Sequence, residues 1–444
     1  MTALATGTNE YLEDFARLER REGGNPAWLA PTRKAAISRF AEMGFPTMRD
    51  EDWRFTNVAP IAGAVFRRAE PAAPGLEDIR PFLLGATARN RIVFVNGHFA
   101  PALSLAARGP DGIGLMSLRR LLGEAPDALT AHLTRYADYR RHAFTALNTA
   151  FFEDGAFVRI PAGQVVEGPI HLLFFSVPGA EPTVSHPRVL IVAEPGSRAT
   201  FVETYAGLGD GVYFTNAVTE LVAGEGSVVD HYRVQQESEQ AFHIGMTRLH
   251  QHRSSNLASH ALNLGGGLVR SEVHAVLDGE GCDCLLNGLF VLRGDQHTDN
   301  HLRVEHARPH GNSREAYRGI LDGRSRGVFT GRIVVHKGAQ KTDAKQTNMN
   351  LLLSDAAQID SRPQLEIFAD DVKCTHGATV GQVDEDAIFY LRSRGIGVEA
   401  ARSLLVYAFA AEAIRHVKIA ALRERLRALL LARLPYGHLL EELA

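Results

Sequence analysis

In this chain of 444 residues, the side chains best matched by type and spacing for joint chemistry are Cys374 and His376. They lie in the run Asp370-Asp-Val-Lys-Cys-Thr-His-Gly-Ala-Thr-Val-Gly381. If this segment is extended, residues two apart point to the same side of the strand, so one thiolate and one imidazole are offered to a common partner. Soft metals and iron-sulfur clusters take such ligands. These sites usually need four ligands and the pair supplies two, so another group must complete any cluster site. A Cys/His nucleophile built on the same pair meets a difficulty. Asp370 and Asp371 would raise the thiol pKa, opposed by Lys373 alone, whereas catalytic thiols usually sit in more positive surroundings.

Other motifs offer weaker chemistry. Cys282-Asp-Cys284 has the look of a metal pair, but cysteine is also a common core residue and no second cysteine pair exists, so packing is the favoured reading. His297 and His301 are four apart, as are His306 and His310, which invites a zinc site. That spacing converges on one face only in a helix, and the intervening Asp-Asn and Arg-Pro argue against one. A metal-dependent enzyme using a histidine site between His297 and His310 is nevertheless the second functional reading, and it requires a full ligand set within one chain. Gly265-Gly-Gly267 lacks the strand-loop-helix context and the Lys-Ser/Thr of a phosphate loop, and no Gly-x-Ser-x-Gly elbow is present.

The chain that must position these residues is long enough for two or three domains, and 45% hydrophobic residues are ample for burial. Its 48 basic and 51 acidic residues, a net of -3, give no general electrostatic reason to expect nucleic acid or an anionic membrane surface. Three cysteines are too few for a disulfide framework and suit a reducing cytoplasm. The first ten residues lack the basic-then-apolar order of a secretory signal. The most apolar late run, Ser403 to Ala411, is far short of the roughly 20 residues that span a bilayer. The expectation is a soluble cytoplasmic protein.

Residues 1–150 read as a mixed helical cap domain. Tyr11, Phe15 and Leu18 recur at helical spacing, as do Ile37, Phe40 and Ala41 before Gly44 and Pro46. Asp50-Glu-Asp-Trp-Arg-Phe-Thr56 then sets two aromatics beside a charged run, Arg91 to Gly97 reads as a strand ending in a turn, and Leu115 to Asn148 regains helical character. From about Phe151 the text changes to short β-rich runs separated by glycine-containing turns, such as Arg188 to Ala193 and Val328 to Val335. Gly196 and Gly226 are 30 apart while Gly279 and Gly323 are 44 apart, a loose period. Such a period suits a solenoid whose coils stack strand on strand, each burying the apolar face of the last. A β-sandwich is the rival, but no Asn-Gly or Asp-Gly hairpins link closely spaced strands regularly. The reading is a β-helix over 151–372 with caps on both sides. Over 373–444 helices are expected, with Asp384 as N-cap, Arg392 and Arg394 at the helix end before Gly395, and later helices carrying Ala401, Leu404, Leu405 and Ala408, then Leu422, Leu426, Leu429 and Leu430.

These residues carry a family resemblance. Lys373-Cys-Thr-His-Gly-Ala-Thr-Val-Gly-Gln-Val-Asp-Glu-Asp-Ala-Ile-Phe-Tyr-Leu-Arg-Ser-Arg-Gly-Ile396 closely resembles the C-terminal signature of the SufD branch of the SufB/SufD family of iron-sulfur cluster assembly subunits. Asp299 to His306 and Ser313 to Ile320 resemble β-region motifs of that family, and Glu51 to Thr56 looks like its SufD N-terminal motif. The SufB branch fits less well, since its N-terminal cysteine cluster is missing and the first cysteine is Cys282.

The resemblance implies a right-handed parallel β-helix between an N-terminal mixed domain and a C-terminal helical domain. It also implies a non-enzymatic scaffold that pairs with SufB through the β-helices and holds the ATPase SufC, where ATP would be hydrolysed, through the C-terminal helices. Tyr390, Arg394, Arg402 and Tyr407 are the expected partner-binding residues there. A nascent cluster would form at the SufB contact, with His376 as this chain's contribution and Cys374 matching the family cysteine beside it. No cofactor is expected to be held stably by this chain alone, and reduced flavin is a candidate participant in the complex. Alone, the chain could form a homodimer through an unsatisfied sheet edge.

Overall fold

From Gly155 onward the short strands wind into a parallel β-solenoid of about eight turns with two long faces. This is seen in a computed structural model that describes residues 2–21, 26–85, 88–105, 113–434 and 437. One sheet stacks Gly155–Ile160, Arg188–Ala193, Tyr213–Ala223, Phe242–Gln251, Leu268–Leu277, His297–His306, Arg326–Val335 and Gln358–Ile367. The other stacks Val165–Ser176, Arg198–Gly207, Val228–Gln236, Asn256–Asn263, Asp283–Leu292, Asn312–Leu321, Asp343–Leu352 and Lys373–Gly381. The parallel register places side chains in columns, one per rung, that alternate between lumen and outside. Ala199, Val229, Leu257, Cys284, Ser313, Ala344 and Cys374 form one inward column.

One corner explains why the repeat is loose in the sequence. At successive coils Gly163, Gly196, Gly226, Ser254, Gly281, His310 and Lys341 all adopt positive φ. Each donates its backbone N–H to the next coil, as in Gly226 to Arg253, Ser254 to Glu280 and His310 to Gln340. The repeated element is a left-handed corner, occupied by glycine at four of these seven positions. Gly279 is not one of these positions, and Gly323 belongs to the opposite corner, where its N-terminal counterpart is Gly294.

The N-terminal end of the solenoid is covered. Asn90–Val95 adds to Val165–Ser176 and is itself closed by antiparallel His98–Phe99, while Gly114–Ser117 runs antiparallel to Gly155–Ile160. Strands of this end thus arise before residue 151, and the stretch expected to be helical from Leu115 opens as a strand before the helices Leu118–Glu124 and Ala143–Phe151. The helices Thr2–Arg21, Leu29–Met43 and Ala143–Phe151 share a core in which Tyr11, Phe40, Phe45 and Phe144 pack beside Phe214 of the solenoid.

At the other end the sheet register runs past residue 372. Residues 373–381, expected at the head of the helical region, instead form the last strand, paired with Asp343–Leu352. Helices follow at Glu385–Arg392, Val398–Ile414 and Ala420–Arg433. The first is capped as its sequence implies, the Asp384 carboxylate accepting from the backbone N–H of Asp386 and Ala387. The two longer helices lay Val406, Ala410, Leu422 and Leu426 on Val234, Leu262, Leu289, Val291 and Ile320 of the second sheet's outer face. Residues 435, 436 and 438–444 of the expected helical domain lie outside the described residues. Among the described residues no helix is long and apolar enough to cross a membrane.

Candidate functional site at the open end of the solenoid

Gln358–Ile367 and Lys373–Gly381 are the outermost strands of their sheets. Each is bonded to one neighbouring strand, so among the described residues one edge of each is left unpaired. Most other coils are buried on both sides; the last strand is exposed along nearly its whole length. Phe368, just beyond the penultimate strand, is 62% exposed and Val380 is 52% exposed.

Cys374 and His376 stand on this last strand, and the register confirms that they share the lumen side. Cys374 continues the column of Cys284, Ser313 and Ala344 and is half-buried against Ile333, Val335 and Leu365. His376 continues the column of Leu286, Glu315 and Gln346 and is exposed, because no further coil covers it. Burial pushes the Cys374 thiol above its ordinary value and Asp343 adds to this, against a hydrogen bond from the Ala344 backbone. The acidic neighbour that matters is therefore Asp343, with Asp371 engaged in an ion pair with Lys341. A thiol raised in this way is not a self-activated nucleophile; it suits coordination, where a metal supplies the drive for deprotonation.

The lumen beneath this mouth is polar, a feature that the sequence reading missed. His231 bridges Glu203 Oε1 and Ser259 Oγ, each at 3.0 Å, and Asn263 donates to Asn300 at 2.8 Å. Gln346 Nε2 donates to Glu315 Oε2 at 2.6 Å, and Asn348 Oδ1 accepts from Asn350 and Ser361. Burial pushes the Glu315 carboxyl up to about 8, against the hydrogen bond from Gln346. These residues share the lumen side of their strands with apolar ones such as Leu286 and Ala344, and only the register shows that they point inward.

The four histidines of the metal reading do not converge. His297 and His301 face outward on one strand; the first meets Thr56 Oγ1 at 3.0 Å and the second Arg270 at 3.1 Å. His306 points into the lumen and bonds Ser313 Oγ at 2.9 Å, while His310 is a left-handed corner residue. Among the described residues no group of three or more His, Cys, Asp or Glu could hold a metal ion, so a self-sufficient histidine site is not assembled. Cys282 and Cys284 are fully buried in the main core, with burial pushing both thiols up, as packing residues should be.

Of the residues expected to bind a partner, Tyr390 and Arg394 come together: Arg394 donates to the Tyr390 hydroxyl at 3.0 Å and lies over its ring. Beside them Phe389 is 72% exposed. Arg402 pairs with Glu385 at 3.3 Å, bracing one helix against the next. Tyr407 lies elsewhere, half-buried against the cluster that seats its helix on the solenoid. The motif Glu51 to Thr56 has a docking role. Trp53 stacks on Arg270 with 3.8 Å from guanidinium carbon to ring centroid, Thr56 donates to Asp299 at 2.7 Å, and Glu51 pairs with Arg362.

Comparison with known proteins agrees with this architecture. Residues 175–409 match the family described as SUF system FeS cluster assembly, SufBD core domain, and residues 8–172 match the SufBD protein N-terminal region. An iron-sulfur cluster assembly SufBD family protein of Synechocystis is 35% identical over 413 residues, covering 91% of each chain. The iron-sulfur cluster assembly protein SufD of Escherichia coli is 31% identical over 441 residues, covering 98% of this chain and 100% of the relative. The SufD of Bacillus subtilis is 27% identical over 430 residues, covering 94% and 95%. With family matches over both regions and relatives aligned nearly end to end, this chain belongs to the SufBD family of iron-sulfur cluster assembly proteins.

Proposed function

We propose that this chain is a scaffold subunit that pairs with a SufB-type chain through the open end of its solenoid and builds a nascent iron-sulfur cluster at that junction. The observation that carries the reading is the coincidence of three features at one place: an unpaired strand edge, an exposed apolar rim, and Cys374 with His376 at the mouth of the lumen. An unpaired edge is a template for another chain. Two ligands from this side are enough when the partner supplies the rest. His376 is the stronger candidate ligand because it is exposed, whereas Cys374 is half-buried and its thiol is held up by burial.

In this reading the exposed patch of Phe389, Tyr390 and Arg394 takes the ATPase subunit SufC, where ATP is hydrolysed. The helix Val398–Ile414 lies on the sheet that ends in Lys373–Gly381; Asn287 donates to the Ala413 carbonyl at 3.0 Å and Arg318 stacks on Phe409. Movement driven at the helices thus has a short path to Cys374 and His376. The test is His376→Ala in the chain co-expressed with its SufB-type and SufC-type partners, with cluster formation followed by absorbance and bound iron. Loss of cluster in an intact complex is expected. Full cluster formation in an intact complex would remove His376 from the site, and failure of the tagged wild-type chain to recover a second solenoid chain and an ATPase would remove the scaffold reading.

A further inference from the structure

The inward column under His376 contains a polar group that nothing in the fold satisfies. Gln346 is fully buried and, in strand register, lies directly beneath His376, one inter-strand spacing of about 4.8 Å away. Its Nε2 donates down the column to Glu315 at 2.6 Å, but its Oε1 is buried and accepts no hydrogen bond. A buried amide oxygen left without a donor loses the hydrogen bonds that it makes to water in the unfolded chain, so such an atom calls for a partner. The amide is also held in place from the side. Gly331 faces it across the lumen, and a Cβ at that position would lie 2.3 Å from Gln346 Nε2 and 2.8 Å from Oε1. The Nε2 end of the amide points down, to Glu315, which sits one rung below Gln346 as a buried carboxyl whose Oε2 accepts the Nε2 hydrogen. The acceptor end is left unpartnered, and the next rung of the column is His376.

We infer that Gln346 is a positioning residue for His376: the two are not hydrogen-bonded in this structure, and turning the exposed imidazole toward the lumen would let the orphaned Oε1 accept one ring N–H and leave the other nitrogen, with its lone pair, facing the junction. This rests on the reading of His376 as a cluster ligand. A ligating histidine whose second nitrogen is engaged in this way has a fixed tautomer and ring orientation, and loss of the outer partner typically costs about 10–100-fold in metal affinity or activity. Gln346 itself touches no metal or sulfide. Its contribution is to choose which nitrogen is free, and the supports are Glu315 below and the absence of a side chain at Gly331.

The experiment reads the tautomer directly in the full-length chain alone. Two-bond 1H–15N spectra at neutral pH distinguish the protonated from the unprotonated ring nitrogen, and the His376 signals are those lost in His376→Ala. In the parent chain one tautomer should dominate. Gln346→Met, which keeps the volume and removes the acceptor, should give a mixture, while Gln346→Glu, which keeps an acceptor, should preserve the preference. Gly331→Ala should reproduce the mixture with Gln346 still present, by displacing the amide, and it serves if Gln346→Met does not fold. In the assembled complex, Gln346→Met should lower cluster formation by about tenfold or more, with Gln346→Glu restoring most of it. A His376 tautomer ratio that is the same in Gln346→Met, Gly331→Ala and the parent would overturn the inference. Intact cluster formation in His376→Ala would instead overturn the ligand reading and leave the tautomer result standing, so the two failures are separable.

Discussion

Burial pushes up two carboxyl groups of the lumen alike, yet their values shift in opposite directions, and the difference lies in their neighbours. Glu203 is held below the usual carboxylate range: burial pushes it up, but hydrogen bonds and charge from His231, with Tyr205 and Thr219 assisting, win. Glu315 has one amide for company and stays protonated to about pH 8. The sign of the consequence follows. Its unfolded value of 4.5 lies below its folded value, so the folded state keeps a proton that the unfolded state has lost. Stability from this group is full below about pH 4.5, falls as pH rises, by at most roughly 1.4 kcal/mol per pH unit, and is lost once pH passes about 8. Glu315→Gln should therefore flatten the fall in denaturant midpoint between pH 5 and 8 relative to the parent chain. Parallel pH profiles for the two would show that Glu315 ionises in the fold without cost.

Between elements, the joint of the N-terminal region and the solenoid rests on an ion pair that sequence spacing does not reveal. Glu220 Oε2 accepts from Arg188 at 2.6 Å and from the Thr134 N–H, while Oε1 accepts from the N–H groups of Tyr136 and Ala137. Arg188 and Glu220 are both fully buried. Removing one partner strands a buried charge, at roughly 3–5 kcal/mol. Glu220→Ala should lower the thermal midpoint and admit trypsin at Arg135, Arg140 or Arg141 of the released segment while the solenoid strands stay protected; an unchanged midpoint with no new cleavage would assign the joint to other contacts. What was legible at this scale follows from periodicity. The helix from Tyr11, the cap at Asp384 and the β-rich middle all announce themselves locally. The coil period did not, because Ser254, His310 and Lys341 stand at left-handed corners where glycine would have marked it. The head of the helical region was misplaced because Lys373–Gly381 has polar and small residues where a buried strand would show an apolar face, and it has them because it is the last strand. Glu51 to Thr56 was recognisable as a motif, but its docking on Arg270 and Asp299 appears only when residues more than two hundred apart are brought together.

For the whole molecule, the asymmetry between its ends decides how it meets other chains. The N-terminal edges are closed by antiparallel strands and helices, whereas the outermost strands at the other end carry unpaired edges and an apolar rim. A sheet edge in that condition is a template for another edge; in the absence of the proposed SufB-type chain the edge at hand would be that of a second copy, and such a contact would close with two-fold symmetry. The purified chain should therefore run as a dimer in light scattering at high concentration. Val380→Lys together with Phe368→Lys, which place charge on the rim without altering the buried coils, should return it to a monomer and weaken capture of the SufB-type partner in the same measure. A monomer at high concentration would remove the homodimer. Loss of the homodimer with partner capture retained would show that the two contacts use different surfaces, and would move the junction away from the open end where Cys374 and His376 stand.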